Sequence, residues 1–235
     1  MTQGIDIQNV HLTREGTAVF AGLNLQLRER RIGIVGRNGA GKSSLIRLMA
    51  GLAVPQSGRV TVEGVDVLKD RSGALDTIGI LFQNPDHQII FPAVIEEIAF
   101  GLEQKGLKRA AAQARARQVL EHHGRADWAD RLSHALSQGQ RQLLCLMAVL
   151  AMEPRWILFD EPFASLDMPT ALAIEARIKA LDQNVVLITH DPARVTGFDR
   201  IIWLEAGQVA ADGPPEDVLP RYRAAMEDLA RGMAC

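Results

Sequence analysis

The fold turns on RIGIVGRNGAGKSSLIRLMAG, residues 31–51. Its opening, RIGIVG (31–36), is a short apolar run closed by glycine, as a buried strand is. From Lys42 to Gly51 the apolar spacing becomes helical. Between them GRNGAGKS (36–43) fits G-x-x-x-x-G-K-[ST] in the strand-then-helix context that this pattern requires. Gly36, Gly39 and Gly41 let main-chain N–H groups turn inward around an anion, and the positive end of the following helix adds to the field. Gly36, Arg37, Asn38, Gly39, Ala40, Gly41, Lys42, Ser43 and Ser44 are therefore the expected loop for a nucleotide polyphosphate. Lys42 is expected to reach the β- and γ-phosphates, and the Ser43 hydroxyl to ligate Mg²⁺.

Working outward, Ile5, Ile7 and Val10 form one apolar set, and Leu23, Leu25 and Leu27 alternate with polar partners as a half-buried strand does. SGRVTVEGVDV (57–67) reads as a hairpin-like strand pair around Gly64. From Glu96 to Val119 the Ala, Gln, Arg and Glu content predicts a helix, and a second runs from Ser137 to Met152. WILFD (156–160) and VVLIT (185–189) read as buried strands joined by a helical stretch at Ala171–Leu181. Strands alternating with helices, each strand nearly all apolar, indicate an α/β chain with a parallel sheet covered on both faces. The helical middle third reads as an inserted lobe. There is no internal repeat, low-complexity tract or linker.

WILFDEP (156–162) delivers two acids, Asp160 and Glu161, to the carboxyl end of a parallel sheet, where ligands bind in open α/β folds. Asp160 is expected to hold Mg²⁺ through water, and Glu161 to orient and deprotonate an attacking water. LSQGQRQ (136–142) has two readings. Ser137 and Gln140 make an S-x-x-Q capping box, which alone would account for the segment. A capped, glycine-containing helix start is also a second anion site.

These motifs together resemble the ATP-binding subunits of ABC transporters over residues 5–219. LSQGQ stands for the family's LSGGQ signature; ASLD (164–167) resembles its D-loop, with Ser165 and Asp167; ITHD (188–191) resembles the switch segment, with His190; LFQNP (81–85) resembles the Q-loop, with Gln83. The resemblance implies a P-loop NTPase, RecA-like core with an N-terminal antiparallel β subdomain and an inserted helical subdomain. It makes residues 1–235 one ATPase domain, with core and β subdomain at 1–87 and 152–217, the helical part at 88–151 and a C-terminal helix at 218–235. Two cassettes would pack head to tail, with ATP between the phosphate loop of one and Ser137, Gln138, Gly139 and Gln140 of the other. Gln83 would sense the γ-phosphate and Mg²⁺, and His190 would contact the γ-phosphate and help to organise the water.

QNPDHQIIFPAVIEEIAFGL (83–102), with a second glutamine at Gln88, resembles the ATPases of energy-coupling factor (ECF) importers of vitamins and metal ions. In those, the groove beside this segment receives a coupling helix of a transmembrane T component, and an S component binds the cargo. Ile89, Ile90, Phe91, Val94 and Ile95 would otherwise be core. The likeness is greatest to biotin importers, with cobalt and nickel importers next. It implies a peripheral subunit on the cytoplasmic face of the bacterial inner membrane, paired with an identical or paralogous ATPase. A soluble ABC protein of translation or DNA repair and a phosphate-loop kinase or switch are the other classes; the first usually carries two cassettes or a long coiled-coil insertion, which this chain lacks, and the second would leave Ser137, Gln83 and His190 together unexplained.

Composition agrees with that choice. Lys and Arg total 26 against 28 Asp and Glu, a net charge of −2, which argues against a partner bound by phosphate neutralisation such as nucleic acid. The longest apolar run, Leu143–Met152, is half of the ~20 residues that a membrane span needs. Cys145 and Cys235 give no disulfide framework, which fits a reducing cytoplasm, and MTQGIDIQNV carries no secretory pattern. Two departures from the family stand out. Gln138 replaces the usual signature glycine, and the aromatic that commonly stacks on adenine is missing, Phe20 being the only aromatic before Lys42. Arg14, in LTREG (12–16), could stack on the base through its guanidinium or be merely solvated; His11 is the alternative. In the tail, Val218, Leu219, Tyr222, Met226, Leu229 and Met233 form an amphipathic stripe for packing on its own core or for self-association.

Overall fold

The computed structural model describes residues 4–164 and 166–233. Strands β1 (Ile5–Arg14) and β2 (Thr17–Leu27) form an antiparallel hairpin whose two-residue turn, Glu15–Gly16, takes positive φ at both positions (50° and 78°). Both positive angles match the right-handed twist of the strands that the turn joins. Leu23, Leu25 and Leu27 point inward, as their alternation predicts. Then come β3 (Arg31–Val35), α1 (Lys42–Met49), β4 (Ser57–Val62) and β5 (Val65–Asp66), the last two antiparallel around Gly64. Next are α2 (Arg71–Thr77), β6 (Ile78–Leu81), α3 (Val94–Gln104), α4 (Arg109–His122) and α5 (Gln138–Ala151). The chain ends with β7 (Trp156–Asp160), α6 (Met168–Lys179), β8 (Asn184–Ile188), β9 (Arg200–Glu205), β10 (Gln208–Gly213) and α7 (Pro215–Met233).

Two compact units emerge. One runs through Arg71 and resumes at Asn184; the other is Ser72–Gln183. The first holds an antiparallel sheet in the order β2-β1-β4-β5, and a second sheet in which β3 lies parallel to both β8 and β9 while β10 returns antiparallel along β9. The second unit holds the parallel pair β6–β7 and the helices. This is the α/β architecture expected from the alternation of apolar strands and helices.

The single helix expected over Glu96–Val119 is two helices. Gly106 (φ 94°) breaks it after the cap residue Lys105, and Arg109 starts a new helix that folds back. α4 presents Ala112, Ala116 and Leu120, all fully buried, against Val94, Ile98 and Leu102 of α3 and Leu144 and Met147 of α5. Small residues on that face let the backbones approach, which is why an alanine-rich, weakly patterned stretch still belongs to a core.

α7 divides the tail stripe. Val218 and Tyr222 are buried, Tyr222 meeting Trp203 of β9 edge-on at 5.6 Å, whereas Met226 is half-buried and Leu229 is exposed. The first half thus packs on its own sheet. The Met233 side chain, Cys235 and Ser165 lie outside the described residues.

Candidate functional site: a phosphate loop and the loops at the strand ends

The loop after β3 closes around an ammonium group. Lys42 is buried, and its Nζ donates to the carbonyls of Gly36 (2.8 Å) and Arg37 (3.0 Å). A β-carbon on Gly36 would stand 2.2 Å from the Leu204 carbonyl oxygen, and one on Gly41, at φ 101°, would press on the Phe20 ring at 3.2 Å. Glycine at these two positions is thus demanded by close approach and by left-handed backbone. Gly41 caps α1 with no side chain, leaving the helix's first N–H groups to point at whatever anion the loop holds. Arg37, Asn38, Gly39 and Ser43 are exposed, Ser44 is half-buried and Ala40 is buried.

His190 belongs to the same unit. β3 and β8 run parallel with Ile34 opposite Ile188, so Gly36 and His190 each follow their paired residue by two and leave the sheet at the same end. The turn carrying His190 is fixed on both sides: the Thr189 N–H donates to the Ile34 carbonyl, and the Asp191 N–H donates to Thr189 Oγ1 at 3.0 Å. Asp191 then caps the following helical turn through the Ala193 N–H. The histidine side chain itself is exposed.

In the second unit β6 and β7 repeat this device. Leu81 pairs with Phe159, so Gln83 and Glu161 stand at equal register beyond the strand ends. Asp160 is buried at the last position of β7, and Glu161 is half-buried with φ 48°, a left-handed backbone on a residue that is not glycine. Strain of this kind persists where surrounding structure enforces it and concentrates at functional sites. Gln83 is exposed.

Ser137, Gln138, Gly139 and Gln140 open α5. The capping box is present: the Gln140 N–H donates to Ser137 Oγ at 3.3 Å, and the Ser137 N–H donates to Gln140 Oε1 at 2.9 Å. Gly139 has a packing duty besides, since a β-carbon there would lie 2.5 Å from Thr170 Cγ2 on α6. Ser137 and Gln138 are exposed. Asp167 caps α6 by accepting from the Thr170 N–H at 3.0 Å, and hydrogen bonds from Thr170 hold its carboxyl below the ordinary range.

Arg14 sits exposed where β1 enters its hairpin turn, and His11 is also exposed. Phe20 is buried under Gly41, so it supports the loop rather than offering a ring face for stacking. Val94 is core, whereas Ile90 is 70% exposed, so the ECF-like segment divides between packing and surface. That surface is shaped by Glu97, a buried carboxylate that accepts from the N–H groups of Ile90 (2.9 Å) and Phe91 (2.8 Å).

Sequence reading missed two supports. The β9–β10 turn braces the phosphate loop: the Gly207 N–H donates to the Ala40 carbonyl at 3.1 Å, and any β-carbon on Gly207 would collide with the Val19 carbonyl oxygen. The dipeptide Ala206–Gly207 signals a tight hairpin, but nothing local says what it touches. Gln142, embedded in the apolar helix α5, reaches the backbone of Phe82 beside Gln83. A polar residue inside a buried run was its only signal.

Residues 20–164 match the ABC transporter family, and the chain belongs to it as an ATPase coupled to transport. Biotin transport ATP-binding protein BioM of Rhodobacter capsulatus is 73% identical over 233 residues, 99% of this chain and 100% of that protein. Energy-coupling factor transporter ATP-binding protein EcfA1 of Symbiobacterium thermophilum is 37% identical, covering 88% of this chain and 76% of that one. Among solved structures, cbiO1 of Clostridium perfringens, part of the ABC transporter complex cbiONQ, superposes with TM-score 0.78 at 27% identity over 97% of this chain and 94% of its own. The ATP-binding cassette MJ0796, a dimer in a post-hydrolysis state bound to ADP and Pi, gives TM-score 0.78 at 26% identity over 90% and 98%. No helix among the described residues is long and apolar enough to cross a membrane.

Proposed function

We propose that this chain is the ATP-hydrolysing subunit of an ECF-type importer that takes up biotin, working as a dimer beneath membrane-embedded partners. The observation that carries the reading is the 73% identity to BioM over nearly the whole of both chains. The loop that curls around Lys42 and the capped start of α5 are the two half-sites that such a dimer needs. The dimeric cassette with ADP and Pi and the cbiONQ complex support pairing and membrane partners respectively. Such a subunit would lie peripherally on the cytoplasmic face of the membrane. The core, helical and C-terminal divisions expected from the family are carried over as part of this reading.

In this mechanism the residues 36–44 bind the triphosphate, Lys42 exchanging its carbonyl partners for β- and γ-phosphate oxygens. Ser137 and Gly139 of the facing copy close on the same phosphates with Gln140 and Gln138 beside them. Glu161 holds the attacking water and takes its proton, and His190 holds the γ-phosphate end. Ser43, Gln83 and Asp160 would hold Mg²⁺. Bound there, Mg²⁺ would supply charge neutralisation for the triphosphate. Arg14 is assigned to the adenine.

The test is isolation of the chain from membranes with its neighbours. A T-type transmembrane subunit and a biotin-binding S component should co-purify, and ATP should be hydrolysed by the assembly. Stable pairing with ribosomes or DNA, or an S component that ignores biotin, would overturn the reading at the level of class or cargo respectively.

A further inference from the structure

The backbone of Phe82, one residue before Gln83, is held at both its N–H and its carbonyl by glutamine side chains. Gln142 Nε2 donates to the Phe82 carbonyl at 3.1 Å, and the Phe82 N–H donates to Gln88 Oε1 at 3.1 Å. One residue earlier on α5, Arg141 pairs with Asp86 at 2.9 Å and donates to the carbonyl of Leu136, the residue before the Ser137 cap, at 2.7 Å. Two successive residues of α5 therefore hold the loop at Phe82 and at Asp86, with Gln83 between the holds. Gln142 is 1% exposed, and its Oε1 has no hydrogen-bond partner among the described residues. Burying an unpaired acceptor is unfavourable, and a methionine of similar length would avoid it. What the glutamine supplies, and an apolar side chain would not, is the donor to Phe82.

We propose that Gln142, assisted by Arg141, is a positioning residue that ties the Gln83 loop to the helix beginning at Ser137, so that the two move as one body. The inference rests on the roles given above to Gln83 and Ser137. Its consequence is linkage within one chain: whatever settles the start of α5 against the facing copy's ATP also settles the loop that carries Gln83, and the effect is reciprocal.

The test uses the full-length chain carrying Gln142→Met, Gln83→Ala or both. Gln142→Met should leave ATP affinity and KM within about twofold while kcat falls about tenfold, the size expected when a supporting group lets a reacting geometry drift. Amide exchange across 83–88 should quicken while α5 stays protected. Added to Gln83→Ala, the same change should cost nothing more. Normal kcat in Gln142→Met beside an impaired Gln83→Ala overturns the tie and leaves the role of Gln83 standing. Full hydrolysis by Gln83→Ala overturns that role and the tie with it. Should Gln142→Met fail to fold, Asp86→Ala, a change at a mostly exposed side chain, releases the other end of the loop. It must then lower kcat in the same direction, and an unaltered kcat refutes the proposal.

Discussion

The ammonium of Lys42 donates to the carbonyl oxygen of Gly36, 2.8 Å away, six residues back along the chain. The lysine thus holds in shape the loop proposed above to receive phosphate. Substituting it removes both the cation and the template. Lys42→Ala is expected to weaken ATP binding by about tenfold or more, each tenfold corresponding to about 1.4 kcal/mol. Titration calorimetry with ATP decides it; unchanged affinity would remove the phosphate-loop assignment.

Glu161→Gln keeps the size of the side chain and removes the proposed base. Hydrolysis should fall by roughly 10²–10⁴, the usual worth of a general base. ATP binding should survive, and an ATP-bound dimer should accumulate on size exclusion. Normal turnover in this variant would take Glu161 out of the proton-accepting role.

Ser137→Ala separates the observed cap from the phosphate contact proposed for the same hydroxyl. Loss of the cap should lower stability by about 1 kcal/mol, read by thermal melting. Loss of a phosphate donor should also lower hydrolysis in mixed dimers at the site facing the altered chain. A stability loss with full activity would confine Ser137 to capping.

His123 gives a pH prediction. Its Nδ1 faces an Arg177 guanidinium N–H at 3.1 Å, and burial, then the charges of Arg177 and His122, hold the imidazole below its ordinary value of 6.5. The fold therefore favours the neutral ring, while the unfolded chain takes up a proton first as pH falls. The stabilisation is complete above 6.5 and is lost as pH drops through the lowered folded value. His123→Gln should flatten the acid side of a melting-midpoint profile; an unchanged profile would assign the acid loss to other groups.

Much of this molecule was legible in its sequence because the decisive signals are local. The strand, glycine loop and helix at 31–51 follow from adjacent residues, as do the Ser137–Gln140 box and the acids that end WILFD. What escaped was set by distance along the chain or by one backbone angle. The Glu96–Val119 helix divides at Gly106, a residue outweighed by its helix-forming neighbours. The hold of Gln142 on Phe82 joins residues 60 apart, and the brace from Gly207 to Ala40 joins two hairpin and loop segments that no periodicity links. Phe20 could be counted in the sequence, but only burial shows its ring beneath Gly41.

The left-handed backbone of Glu161 has an evolutionary reading. A residue with a β-carbon in that conformation sacrifices about 1 kcal/mol that glycine would recover. Glycine there would relieve the backbone and remove the carboxylate. With Glu161 as the base proposed above, selection for heat resistance alone would thus tend to silence this cassette, and lineages that keep the acid must find their robustness elsewhere in the chain.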